Sequence, residues 1–271
     1  MSRATPVRRR TLADLQRMAA AGERIAMLAV SDATFAALAE RGGVHALLVG
    51  DSLANTVQGR ETTLPVTLEE MVYHTRCVAR GSREAFLLAD LPFGSFEGSP
   101  ATAFAAAARL LEAGAQMVKI EGGAPWVAET VAFLTARHVP VCAHLGLTPQ
   151  AVHEFGGYRV QGRAPEDAAR LLAEARRLAE AGAALLVLEC IPRALAARVT
   201  TEVEIVTIGI GAGAATHGQV LVAYDLLGLT PPPRPRFVRD FLAPAASAEA
   251  AVRAYVEAVA AGRFPGAAES Y

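Results

Sequence analysis

A single (β/α)8 TIM barrel with a C-terminal helical extension is the fold the sequence predicts, and three observations predict it. Short continuous apolar runs alternate with Ala-, Leu- and Arg-rich stretches of helical spacing, the runs number eight in 271 residues, and one helix-to-glycine-to-strand phrase recurs. Runs that are apolar on both faces belong to parallel strands covered by helices. Eight of them within one domain's length fit a closed barrel. An open doubly wound sheet is the alternative this pattern leaves.

The strands are read in order at 24–30 (RIAMLAV), 46–50 (ALLVG), 85–90 (AFLLAD), 117–122 (MVKIEG), 139–145 (VPVCAHL), 184–190 (ALLVLEC), 205–211 (IVTIGIG) and 220–225 (VLVAYD). The recurring phrase precedes three of them: Glu40-Arg41-Gly42-Gly43, Glu112-Ala113-Gly114-Ala115 and Glu180-Ala181-Gly182-Ala183. Glycine just past a helix takes the left-handed conformation that ends it, after which the aliphatic run continues as a buried strand. Between Gly50 and Arg80 lies a long loop followed by a helix starting near Thr67. After the eighth strand comes the Pro-rich piece 230–235, then a helix over roughly 245–262. No composition break divides the chain, so residues 1–271 form one domain. Residues 1–11, with Arg8, Arg9 and Arg10 and no apolar run, read as a flexible tail and not as a secretory signal.

Composition excludes several function classes. Hydrophobic residues make up 52% and charged ones 20%, too apolar for disorder. Lys+Arg at 26 against Asp+Glu at 27 removes the electrostatic case for nucleic acid or an anionic membrane surface. No apolar run approaches the roughly 20 residues needed to span a bilayer. Cys77, Cys142 and Cys190 are odd in number and lack C-x-x-C spacing, which fits a reducing, cytoplasmic setting rather than disulfides or zinc.

The informative residues stand where strands end: Asp32, Asp51 with Ser52, Asp90, Glu121, His144, Glu189 and Asp225. In a barrel those ends share the face on which active sites are built. Any one acid could equally cap the following helix. On the fourth strand Lys119 and Glu121 are two apart and share a face. Burying both is costly without partners, which argues for a site. Lys119 is also the only lysine in a chain that otherwise uses arginine, so a compact ammonium is wanted there.

If Asp51, Asp90 and Glu121 converge, their all-oxygen donor set is that of a hard divalent cation such as Mg2+. Neutralisation by Lys119 and a neighbouring arginine without metal is the alternative. Glu189 ends an apolar run, a setting that should raise its pKa toward that of a working base. The segment Gly209–Ala214 carries the letters of a dinucleotide fingerprint but follows the seventh strand, so close backbone packing is its better reading. No phosphate-binding loop, serine elbow or zincin helix is present. His45, His74, His138, His153 and His217 lack ligand-like pairing and read as surface or packing residues.

The stretches LLVGDSLANTVQGRETTLPVTLEEMVYHTRCVARG, LLADLPFGSF, VKIEGG, VCAHLGLTPQ, FGGYRVQGR, LLVLECIP and IGIGAG, in this order, closely resemble the ketopantoate hydroxymethyltransferase family over roughly residues 20–268. The resemblance implies a Mg2+-dependent barrel that moves a hydroxymethyl group from 5,10-methylenetetrahydrofolate to 3-methyl-2-oxobutanoate, giving 2-dehydropantoate for pantothenate biosynthesis through a Mg-stabilised enolate. It further implies Asp51, Asp90 and Glu121 at the metal, directly or through water. Ser52, Asp51, Asp90, Lys119 and His144 are implied at the keto acid, Glu189 as the base, and a homodecamer of two pentamers as the assembly. The sequence departs from the family at Ser31, Thr207 and Tyr224, and at Ala54-Asn55-Thr56. These changes touch the expected pocket mouth but remove no acid. A lyase of the phosphoenolpyruvate mutase and isocitrate lyase type, and a catalytically idle ligand-binding barrel, are the rival readings.

Overall fold

The computed structural model describes residues 8–271. Eight parallel strands close on themselves in sequence order: β1 (Ile25–Ala29), β2 (Ala46–Val49), β3 (Phe86–Asp90), β4 (Met117–Glu121), β5 (Val141–Gly146), β6 (Leu185–Glu189), β7 (Val206–Ile210) and β8 (Gly218–Val222). Nearly every strand residue is buried, as expected where one face meets the barrel interior and the other the helices. Around them lie α1 (Leu12–Ala20), α2 (Ala33–Arg41), α3 (Leu53–Thr56), α4 (Leu68–Gly81), α5 (Pro100–Glu112), α6 (Pro125–Thr135), α7 (Val152–Phe155), α8 (Pro165–Glu180), α9 (Arg193–Glu202), α10 (Ala223–Leu226) and α11 (Ala248–Ala260).

Local chemistry sets the helix starts. Thr67 caps α4 in a reciprocal box with Glu70, and Ser99 and Ser247 cap α5 and α11. The barrel's seam between β8 and β1 is covered by α11. There the fully buried Tyr255 hydroxyl shares its proton between Met27 O at 3.0 Å and Gln219 O at 2.9 Å.

Two sequence expectations are corrected. The eighth strand covers Gly218–Val222, not 220–225. Its first residue must lie against β1, where a Cβ would meet Ile25 O at 2.3 Å, so only glycine can open it. Ala223–Leu226 has already turned into α10. The expected tail is shorter as well, because its last residues are held. Arg8 pairs with Asp14 at 2.9 Å, and the Arg9 guanidinium donates to Ala85 O at 3.1 Å, Ala79 O at 3.3 Å and Ser82 O. Thr11 then caps α1. Arginine's fork of donors thereby ties carbonyls at the end of α4 to the one that precedes β3. Residues 1–7 of that expectation lie outside the described residues.

At the opposite end from the strand tips, His45 Nδ1 accepts the Ala26 N–H at 3.0 Å. Burial, with Arg10 adding to it, pushes the His45 pKa down to about 4. The unfolded chain therefore takes up a proton below about pH 6.5 that the folded one refuses until about pH 4, and stability falls as pH drops through that window. The loss amounts to up to about 3 kcal/mol. Urea denaturation of His45→Gln, which keeps an acceptor but cannot titrate, is expected to show a shallower fall between these pH values than the parent chain.

Candidate active site

The barrel register places the site. Asp90 is the cross-strand partner of Lys119, and Glu121 is the partner of His144, so four inward-facing groups on β3, β4 and β5 are neighbours by ladder geometry alone. Lys119 Nζ lies 3.2 Å from Asp90 Oδ1 and 3.3 Å from Glu121 Oε1, and all three side chains are almost fully buried. His144 Nδ1 stands 3.1 Å from Glu121 Oε1, and its Nε2 is 3.4 Å from Glu189 Oε2.

Asp51 joins from the turn after β2, its backbone N–H donating to Asp90 Oδ2 at 3.0 Å. Gly50 allows this approach. A Cβ there would sit 3.0 Å from Ser52 Oγ and 3.6 Å from Asp90 Oδ2. Ser52 makes no capping bond with its hydroxyl, which leaves it available beside the acids. These groups line a cavity of about 600 Å³ at the strand tips, with Ala29, Val187, Ile210 and Val220 among its apolar walls and Tyr158, Arg159, Arg234, Phe237 and Tyr271 toward the rim.

Electrostatics follow from burial and proximity. Burial, then the Glu121 and Asp90 charges, raises the Asp51 carboxyl well above the usual carboxylate range. Asp90 is raised too, first by burial and then by Glu121, against the pull of Lys119. Burial works against ionisation of Glu121 as well, but Lys119 and His144 together bring it down to about 2. Burial and Lys119 press His144 toward neutrality, yet Glu121 and Glu189 carry it up to about 9. Lys119 overcomes its own burial through the surrounding acids and stays an ammonium. The two buried thiols beside the site are held protonated by burial, Cys142 up to about 12 and Cys190 likewise upward, so neither is a ready nucleophile.

With Asp51, Asp90, Glu121 and Glu189 all ionised, four negative charges would face two cations, Lys119 and His144, and a divalent cation would supply the difference. In its absence burial and mutual repulsion push Asp51 and Asp90 toward the protonated form. Asp90 Oδ1 is buried without a hydrogen bond. Both oxygens of Glu121 are already engaged, Oε1 by Lys119 and His144, and Oε2 by the Gln150 N–H at 3.0 Å. Accordingly, among the described residues no three such groups surround one point at ligand distance. The oxygens left to meet a cation belong to Asp51 and Asp90, with Glu121 behind them, and this hard-oxygen pair fits Mg2+.

Of the strand-end residues singled out in the sequence, Asp51, Ser52, Asp90, Lys119, Glu121, His144, Glu189 and Asp225 all line the cavity. Asp32 does not; its carboxylate caps α2, accepting from Thr34 N–H at 2.8 Å and Phe35 N–H at 2.9 Å. Asp225 sits in α10 rather than on a strand and accepts the Thr230 hydroxyl at 2.6 Å. Glu189 is the least enclosed of the acids, its side chain 16% exposed to the cavity.

Sequence reasoning passed over Gln150. Its side-chain N–H2 bridges Asp51 Oδ2 at 2.8 Å and Leu91 O at 3.0 Å, while its backbone holds Glu121. The Thr148-Pro149-Gln150 turn directly after a strand was the available signal. The departures at Ser31, Thr207 and Tyr224 do not line the cavity. Thr207 faces the helical layer, bonding Thr200 Oγ1 at 2.9 Å and His217 Nδ1 at 3.1 Å. Ser31 O accepts from His74 Nδ1 at 2.6 Å, and Tyr224 packs on Phe35.

Comparison with known proteins agrees with this geometry. Residues 9–267 match the sequence model of the family described as ketopantoate hydroxymethyltransferase. Curated relatives named 3-methyl-2-oxobutanoate hydroxymethyltransferase, from Burkholderia thailandensis and from Azoarcus sp., are each 58% identical over 96% of this chain and 96% of their own. Among solved structures, a putative phosphonomutase from Burkholderia cenocepacia superposes with a TM-score of 0.64 at 18% identity, covering 81% of this chain and 95% of its own. A phosphonopyruvate hydrolase crystallised with oxalate and Mg++ gives 0.60 at 14% identity, covering 79% and 81%. At these identities the structural likeness speaks for the barrel alone, lyase-type barrels included.

Proposed function

The chain belongs to the ketopantoate hydroxymethyltransferase family, and from that premise we propose that it transfers the hydroxymethyl group to 3-methyl-2-oxobutanoate from 5,10-methylenetetrahydrofolate, with Glu189 as the base and Asp51 and Asp90, backed by Glu121, as the holders of Mg2+. The observation that carries this reading is the placement of one carboxylate, Glu189, across the cavity from a buried ammonium, Lys119, with His144 between them.

Bound there, Mg2+ supplies electron withdrawal from a 2-oxo acid, which acidifies the carbon next to the keto group. Lys119 and the Ser52 hydroxyl hold the substrate's negative oxygens, and Lys119 also meets the charge that builds up on the keto oxygen as the proton leaves. Glu189 accepts the C3 proton. Water adds to the methylene carbon as its two bonds to the folate nitrogens break, those nitrogens taking water's protons so that tetrahydrofolate departs and a one-carbon carbonyl remains. The C3 carbon then bonds to that carbonyl carbon, whose oxygen becomes the new hydroxyl by taking back the proton from Glu189. His144, charged between Glu121 and Glu189, holds the base's carboxylate in place. The apolar walls at Val187, Ile210 and Val220 suit the branched aliphatic end of the keto acid. The cavity of about 600 Å³ leaves its outer part for the much larger folate.

The test is product formation. Incubation with 3-methyl-2-oxobutanoate, 5,10-methylenetetrahydrofolate and Mg2+ is expected to yield ketopantoate, and to yield none when the folate is omitted or the cation chelated. Turnover without the folate would overturn the donor assignment. The assembly belongs to the same proposal: a homodecamer, for which exposed Phe93, Tyr73 and Trp126 offer apolar surface, is expected from light scattering at about ten times the chain mass. None of the described helices is long and apolar enough to cross a membrane.

A further inference from the structure

Where β4, β5 and β7 end, the chain turns through a left-handed residue, and each time that residue is glycine: Gly122 (φ 103), Gly146 (φ 98) and Gly211 (φ 61). The same turn after β6 is made by Cys190, at φ 47, directly behind Glu189. A side chain in this region costs backbone energy that glycine avoids, and such costs persist where the side chain has a task. The Cys190 side chain is buried and its neighbour is the Tyr271 phenol, which also walls the cavity.

Tyr271 is itself held. Its carbonyl accepts the Arg193 N–H at 2.9 Å, and its ring lies close enough to Gly211 that a Cβ there would come within 3.1 Å of Cε2. The segment before it is pinned by Arg236 on Ala268 O at 2.9 Å and by Arg239 on Glu269 at 2.9 Å. From below, the Glu189 backbone is gripped by the Leu147 N–H on its carbonyl at 2.9 Å, and Cys190 N–H donates to Ile210 O at 2.9 Å. Gly146 approaches so closely that a Cβ would meet Glu189 O at 2.1 Å. The base's strand end is thus clamped on both flanks by backbone; beyond it the Cys190 carbonyl accepts the Gln161 N–H at 3.0 Å, and the Cys190 side chain meets Tyr271.

We propose that Cys190 and Tyr271 form a latch that fixes the direction of the Glu189 carboxylate, making both of them positioning residues for proton abstraction. The proposal rests on Glu189 being the base. Neither group exchanges a proton with the substrate; they act by restricting the turn from which the base projects. Small displacements of a base carry large rate penalties, about 100-fold for a 1 Å shift.

The experiment follows the exchange of the substrate's C3 proton by NMR in D2O with Mg2+, alongside KM for 3-methyl-2-oxobutanoate and thermal melting, in Cys190→Gly, Cys190→Ser, Tyr271→Ala, Tyr271→Phe and Glu189→Gln. The latch predicts that Cys190→Gly and Tyr271→Ala lose about 10- to 100-fold in exchange rate with KM within about twofold. Cys190→Ser, which keeps a polar atom against the phenol, is expected to recover most of that loss. Unchanged exchange in Cys190→Gly and Tyr271→Ala, or a raised KM at unchanged rate, would overturn the latch. So would a rate loss matched by the fraction of unfolded protein. Retained exchange in Glu189→Gln would instead remove the base assignment beneath it, a separate failure read in the same series.

Discussion

Glu189→Gln is expected to abolish exchange of the C3 proton of 3-methyl-2-oxobutanoate and to lower turnover by about 10²- to 10⁴-fold, the contribution usual for a positioned general base. KM for the keto acid should change little, because the amide preserves the side chain's shape and Glu189 stands apart from the Asp51–Asp90–Lys119 floor that would hold the substrate. The substitution also removes the carboxylate facing His144 Nε2 at 3.4 Å. One of the influences that raise the His144 pKa to about 9 is lost with it, so this histidine should titrate lower in the variant. NMR of the imidazole would show that shift in the same sample in which the substrate's C3 proton is followed. Exchange persisting in Glu189→Gln at more than a tenth of the parent rate would remove Glu189 from the chemistry.

Lys119→Met should be the most damaging change to the charge balance. It leaves Asp90, Glu121 and Asp51 buried together without the ammonium that lies within 3.3 Å of the first two. Breaking a buried pair from one side typically costs about 3–5 kcal/mol. The acids can relieve part of this by staying protonated, so their folded pKa values rise above the unfolded ones. Stability from such protonation is present at low pH and lost as pH rises, and the destabilisation seen by urea denaturation should therefore be larger at pH 8 than at pH 5. Activity is expected to fall by at least about 10²-fold, as when a preorganised charge at a developing anion is removed. Lys119→Arg is expected to recover little of it, since a planar fork does not fit the place of a compact ammonium among three carboxylates. An arginine variant with near-parental turnover would overturn the assignment of Lys119 to a single buried point charge.

The barrel was legible because its signals are local and repeated. Each apolar run and each helix-ending glycine stands near where the residues suggest, and the strand-tip acids follow from topology once eight parallel strands are granted. What was not legible depends on contacts between distant segments. Gly218 opens β8 because β1 leaves no room for a side chain there, a constraint invisible in the run VLVAYD itself. Asp32 and Asp51 look alike in sequence, each an acid following an apolar run, and only the position of the next helix decides that one caps and the other faces the cavity. Gln150 is a glutamine in a turn until the fold brings Asp51 and Leu91 to it. Thr207 drew attention as a departure from a family pattern, yet strand parity turns it toward α9 and away from the cavity. The direction of a side chain on a strand can be counted from a neighbour, whereas the direction of a loop side chain cannot.

The pairing of Asp90 with Lys119 and of Glu121 with His144 as partners on adjacent strands has a bearing on how this enzyme can change over generations. Its charged centre is carried by the hydrogen-bonded frame, and the rim at Tyr158, Arg159, Arg234 and Phe237 by connecting segments. Insertions and replacements in those segments can retune which keto acid or which carrier is admitted without shifting the spacing of the reacting groups. Heritable variation in substrate choice and heritable variation in chemistry are thereby assigned to different parts of one chain, and the first can accumulate while the second stands still.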